Sequence, residues 1–154
     1  MADVPEDLRA VHRKARVMGL ACCIAGPLVL LGLAATGVLV PGTNPVAGLP
    51  QQVGYTFTGL VFLAAAWMTW RKGRILRSFG SLAPGARPQV LLRESLLYTA
   101  LSATSALWGT LYWMLVGWNA FRHVLAFLLL TPAMFLFLVP DLGTWVRALK
   151  EDAP

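Results

Sequence analysis

Four stretches of this 154-residue chain carry no ionisable Asp, Glu, Lys, Arg or His: Val17–Val40 with 24 residues, Val53–Trp70 with 18, Ser95–Gly117 with 23 and Val124–Pro140 with 17. A helix needs about 20 residues to cross some 30 Å of hydrocarbon, within a working range of about 17–25. Backbone polar groups in lipid must be satisfied inside the segment, so each stretch is predicted to be a helix. Composition agrees, with 57% hydrophobic and 13% charged residues, against about 45–50% and about 25% in soluble domains. A domain of about 150 residues still exposes roughly 30% of its unfolded surface, so one core cannot hide this excess. The expected fold is therefore all-α, an integral membrane four-helix bundle forming a single domain.

The basic residues set the orientation. Arg9, Arg13, Lys14 and Arg16 precede the first stretch, and Arg71, Lys72, Arg74, Arg77, Arg87 and Arg93 lie in the 71–94 linker. Arg147 and Lys150 follow the fourth stretch, while Arg122 falls in the third connection. Placing both termini in the cytoplasm puts 12 Lys and Arg inside and one outside, as the positive-inside rule requires. This predicts a multi-pass protein of the bacterial inner membrane. The net charge of +6 then belongs to contact with anionic lipid, and nucleic acid is not expected as a partner. Basic residues before an apolar run also imitate a signal peptide, but 24 uncharged residues exceed the usual h-region of about 7–15. A retained helix is expected.

Trp67 and Trp70 beside Arg71, Trp118 after the third stretch and Trp145 after the fourth fit an interfacial aromatic belt, with Trp113 assignable to belt or core. Pro41–Pro45 reads as a short uncharged turn. Arg71–Arg77 reads as an extension of the second helix into the headgroups, and 78–90, with two prolines and two glycines, as a flexible cytoplasmic link.

Within the first helix, Gly19, Cys22, Cys23 and Gly26 follow the i, i+3, i+4, i+7 spacing of one face. Small residues let helix backbones approach closely in lipid, so this face is predicted to be a packing seam, within the chain or between copies. Adjacent Cys22 and Cys23 point about 100° apart on a helix, a poor disulfide geometry, and no CxxC or Cys/His cluster suggests a metal. Pro27 and Pro132 fall inside the first and fourth helices, each leaving a carbonyl one turn back without its donor.

The third helix is the most polar. Ser95, Thr99, Ser102, Ser105 and Gly109 form a stripe, with Thr104 and Thr110 beside it. Two uses fit: a helix–helix contact held by hydroxyls, or the polar lining of a pore or small-molecule site. No ionisable residue lies in the middle of a span, and such residues are the usual mark of ion paths and proton relays. Glu94 and Asp141 sit at span ends, where pairing with Arg93 and Arg147 would make them solvated anchors. His12 and His123 fall on opposite sides of the membrane, so one chain cannot offer a bis-His haem site. No catalytic triad, metal-ligand set or phosphate loop is present in the sequence pattern, and neither catalytic residues nor a cofactor are expected.

Residues 86–115 begin Ala86-Arg87-Pro88-Gln89 and continue through Leu92-Arg93-Glu94-Ser95 to Ala106-Leu107-Trp108-Gly109. This run resembles the polar loop and second helix of the c-subunit proteolipids of rotary ATP synthases. The resemblance implies a cytoplasmic loop leading into a membrane helix. It stops short of proton translocation, because the family's proton-carrying carboxylate would fall near Ala103, between Ser102 and Thr104, and the preceding helix lacks the family's glycine ladder. The chain as a whole is similar to small bacterial four-helix membrane proteins, a likeness that supplies no activity.

The sequence thus points to a non-enzymatic accessory or oligomer-forming membrane component whose partners are the bilayer and either further copies or other membrane proteins. The alternatives are a channel or transporter for a small uncharged solute lined by the third-helix hydroxyls, and a membrane enzyme acting on quinone or lipid.

Overall fold

The computed structural model describes residues 5–43 and 49–151. The expected turn at 41–45 lies partly outside these. The described chain is all-α, in the order α1 (Glu6–Ala35), α2 (Leu49–Phe79), a 3₁₀ turn (Pro84–Ala86), α3 (Arg87–Val116), a second 3₁₀ turn (Gly117–Ala120), α4 (Phe121–Leu138) and α5 (Leu142–Glu151). Three helical stretches among the described residues are long and apolar enough to cross a membrane: Glu6–Ala35, Gln51–Phe79 and Arg87–Lys150, the last holding α3 and α4 back to back.

Successive long helices alternate in direction. Leu8 at the start of α1, Phe79 at the end of α2, Leu91 near the start of α3 and Trp145 of α5 form one buried cluster at one end. At the other end, Leu30, Leu31 and Ala34 of α1 meet Trp113 of α3 and Val124 of α4. The centre of the molecule is α3, which packs against α1, α4 and, less extensively, α2. Large apolar side chains face outward on every long helix, among them Leu28, Phe62, Leu107 and Phe137.

Helix α1 stops before its apolar run does. Thr36 turns its hydroxyl onto the carbonyls of Gly32 and Leu33, and Gly37 takes φ of 74°, the left-handed position favoured just past a helix end. The chain then crosses the end of α3, where the Gly42 amide donates to the Trp113 carbonyl at 3.3 Å. Gly117, with φ of 76°, passes directly against the Gly42 backbone, a crossing that leaves no room for a side chain on either residue.

The linker is shorter and more ordered than the sequence suggested. Helix α2 runs to Phe79, and α3 begins at Arg87, eight residues before the expected Ser95. Both prolines that read as breakers occupy first-turn positions, Pro84 in the 3₁₀ turn and Pro88 in α3, where the missing N–H costs nothing. The Arg87 guanidinium donates to the carbonyls of Gly80 and Leu82 at 2.8 and 3.0 Å, tying the corner together.

Helix α5 was not anticipated. Leu142, Trp145, Val146, Ala148 and Leu149 recur at helical spacing, and Trp145 is fully buried, its ring 4.6 Å from that of Phe79. Trp145 is therefore a core residue rather than a member of the interfacial belt. Asp141 caps the helix, accepting from the Thr144 amide at 2.9 Å and from the Thr144 hydroxyl. Those bonds, with Arg147 and Arg16 nearby, hold its carboxyl below the ordinary 3.8. A carboxylate with a lowered folded pKa stabilises above its unfolded value and loses that contribution as pH falls through the folded one. Asp141→Ala is expected to weaken α5 by about 1 kcal/mol, read as faster amide exchange at 142–146. The difference from wild type should shrink below pH 3.8.

Candidate functional site

The small residues of α1 divide between two faces. Gly19 and Cys23 are buried, in one row with Ala15 and Pro27, while Cys22 and Gly26 are exposed. A Cβ on Gly19 would come within 2.5 Å of the Phe135 ring and 2.6 Å of the Thr99 hydroxyl, so α1, α3 and α4 meet at this glycine. Cys23 Sγ lies 4.0 Å from the Thr99 carbonyl. The i, i+3 pairing is the part of the expected seam that the chain does not use internally. An i+4 row of Ala15, Gly19, Cys23 and Pro27 follows the crossing of α1 over α3 more closely.

The α3 stripe is buried throughout: Ser95, Thr99, Ser102, Ser105 and Gly109. Thr99 donates to the Ser95 carbonyl at 2.8 Å, and Ser105 donates across to the Phe127 carbonyl of α4 at 2.8 Å. A Cβ on Gly109 would stand 2.8 Å from that of Phe127. Ser105 and Gly109 therefore fasten α3 to α4, and Thr99 faces the α1 crossing. The Ser102 hydroxyl is fully buried with no hydrogen-bond partner among the described residues, and Tyr98 one turn earlier is fully buried beside Glu94.

Glu94 differs from its expected role. Starting α3 at Arg87 places Glu94 two turns inside the helix, facing α2, and it is only 2% exposed. Its carboxylate is held not by Arg93 but by Arg71, in a two-pronged pair with both N–H···O distances 2.7 Å. The carboxylate's hydrogen bond raises the Arg71 pKa above its ordinary value. Arg71 also lies over Trp67, 5.1 Å from its ring centroid, and Arg74 lies 5.7 Å from that of Trp70. Trp113 belongs to the core, 3% exposed, with its indole N–H pointing to the Leu39 carbonyl at 3.4 Å.

The two histidines lie at opposite ends. His12 is near Pro140 and Asp141. Partial burial lowers its pKa, opposed by the Pro140 carbonyl. His123 lines a cleft between α2 and α4.

Polar groups from α2, the second 3₁₀ turn and α4 converge on this cleft. Its upper part, about 480 Å³, is lined by Gln51, Gly54, Tyr55 and Thr58 of α2, Tyr112 and Val116 of α3, and Asn119, Ala120, His123 and Phe127. A second part of about 220 Å³ adds Val61, Phe62, Ala126 and Leu130 and shares Thr58, His123 and Phe127 with the first. The cleft exists because α2 leans on α3, through Phe57 stacked 4.9 Å from Trp108 and edge-on to Tyr112, rather than on α4. At Gly54 the approach is close, since a Cβ there would stand 3.1 Å from the Tyr112 hydroxyl. Gln51 donates to the Tyr55 hydroxyl at 3.2 Å, and Thr58 to the Gly54 carbonyl at 2.8 Å.

No protein family, curated protein or solved structure matches the chain. Among the described residues there is no group of three or more His, Cys, Asp or Glu that could hold a metal ion.

The cleft was missed at the level of sequence. Its signal was present in α2, where Gln51, Tyr55 and Thr58 follow i, i+4, i+7 spacing and set a polar stripe on one face. Nothing in the α2 sequence says which neighbour that stripe faces.

Proposed function

We propose that the chain is a four-helix bundle of the bacterial inner membrane with both termini cytoplasmic. In this reading it acts without catalysis, as an accessory or self-associating component that works through helix packing. The observation that carries it is the split of small residues on α1. Gly19 and Cys23 are consumed by the internal crossing, while Cys22 and Gly26, one turn apart, stay on the outer face, with nothing within 4 Å of a Cβ placed on Gly26. An exposed small-xxx-small pair is the arrangement that lets a second membrane helix approach closely. The apolar perimeter, and the basic residues gathered at the end where α1 starts and α2 finishes, support the membrane frame. The hydroxyls of Thr99 and Ser105 are engaged within and between helices, which favours the packing reading over a solute path along α3.

The test is oxidative cross-linking in native membranes. A symmetric α1–α1 contact brings the two copies of Cys22 together, so wild type and Cys23→Ser should give a disulfide-linked dimer and Cys22→Ser none. Gly26→Leu should reduce the dimer several-fold while leaving the chain folded. A strictly monomeric chain with no cross-linked species defeats the proposal. Solute flux through liposomes that disappears in Ser102→Leu would replace it with the channel reading.

A further inference from the structure

We propose that the α2–α4 cleft is a binding site for one glycerophospholipid of the outer leaflet, its phosphate at the mouth and one acyl chain in the lower part. The inference rests on the membrane reading above. The two parts of the cleft share Thr58, His123 and Phe127 in their walls and differ in character. The mouth offers amide, phenol and imidazole groups from Gln51, Tyr55, Asn119 and His123. The lower part is walled by Phe62, Ala126 and Leu130. A chamber bearing several polar groups beside an almost wholly apolar one matches an amphiphile in polarity. The volumes of about 480 and 220 Å³ lie in the range of sites built for small molecules, roughly 300–1,000 Å³ taken together.

Charge selects among amphiphiles. The lining contains no carboxylate. The mouth therefore presents hydrogen-bond donors and no carboxylate to repel an anion. That favours a phosphodiester over a cationic head.

Native mass spectrometry of the full-length protein, delipidated in detergent and titrated with phosphatidylglycerol, tests the site. One lipid is expected to bind ahead of the rest. Ala126→Trp, at an exposed position on the lower wall, should weaken that first binding about tenfold or more, whereas Leu63→Trp, exposed on α2 and outside the cleft lining, should leave it within about twofold. Diacylglycerol with the same chains should bind about tenfold more weakly than phosphatidylglycerol, and His123→Leu should narrow that gap. Equal binding by Ala126→Trp and wild type overturns the proposal. So does diacylglycerol or a long-chain quinone binding as tightly as phosphatidylglycerol, or a second copy of the chain filling the cleft in place of lipid. Flotation of the expressed chain with the bilayer fraction separates the two failures: a chain that does not float defeats the membrane reading, and one that floats without a preferred lipid defeats only this one.

Discussion

Replacing Arg71 by alanine is expected to cost about 3–5 kcal/mol, because it strands a buried carboxylate. Glu94 is 2% exposed and takes both of its short contacts from the one guanidinium. Without Arg71 the carboxylate must be protonated or α2 must part from α3. Glu94→Gln should cost less, since the arginine that it frees is about a quarter exposed and can reach toward water or headgroups. The double change Arg71→Met with Glu94→Leu should recover most of the loss. It removes both charges and keeps the apolar contact, a replacement that is often neutral or stabilising. Thermal unfolding in detergent, followed for the three variants side by side, checks the order. Equal stability of Arg71→Ala and wild type would mean that the pair fastens nothing. The pair and the tilted Phe57–Trp108 contact join α2 to α3, while Phe79 against Trp145 joins it to α5.

The second large effect belongs to Gly19. An added methyl meets Phe135, which is 1% exposed, and the Thr99 hydroxyl, whose direction is fixed by its bond to the Ser95 carbonyl. Neither neighbour has space to retreat, so Gly19→Ala should destabilise by about 1–3 kcal/mol, the usual cost of overfilling a packed interior. Gly19→Leu should exceed that and separate α1 from α3. Gly26→Ala, one face away with open space around it, is the matched comparison and should not lower the melting temperature of the monomer. If both alanine variants melt alike, the close crossing at Gly19 is not what holds α1 in place.

The helical class and the alternation of apolar segments could be read before any coordinates, because missing charges over about 20 residues leave few choices for a backbone in lipid. Helix ends could be read only in part: the run of α2 past Arg71 was expected, but its reach to Phe79 and the start of α3 at Arg87 were not. Arg71–Phe79 continues α2 because Ile75, Leu76 and Phe79 have α5 and α1 to pack on, and that neighbour is built from ten residues following Pro140, too short and too charged to count as a span. The clue to α5 was Asp141 three residues before Thr144, a capping spacing. The partner of Glu94 was hidden for a different reason: Arg71 lies 23 positions away across a turn, and the register between two helices is set by packing rather than by local pattern. The division of Cys22 from Cys23, and the cleft left where α2 leans away from α4, are of the same kind. Periodicity marks a face; only the neighbouring helices decide what that face meets.

The crossing of α1 over α3 also bears on how the chain matures. Cys23 and the Thr99 carbonyl that it meets are 76 positions apart, so α1 leaves the ribosome long before its partner exists. At synthesis rates of about 5–20 residues per second the first helix waits roughly 4–15 s with its Gly19–Cys23 groove unfilled. Under the membrane reading proposed above, lipid, the insertion machinery or a finished neighbour occupies the groove during that interval, and the arriving α3 must displace whatever has settled there.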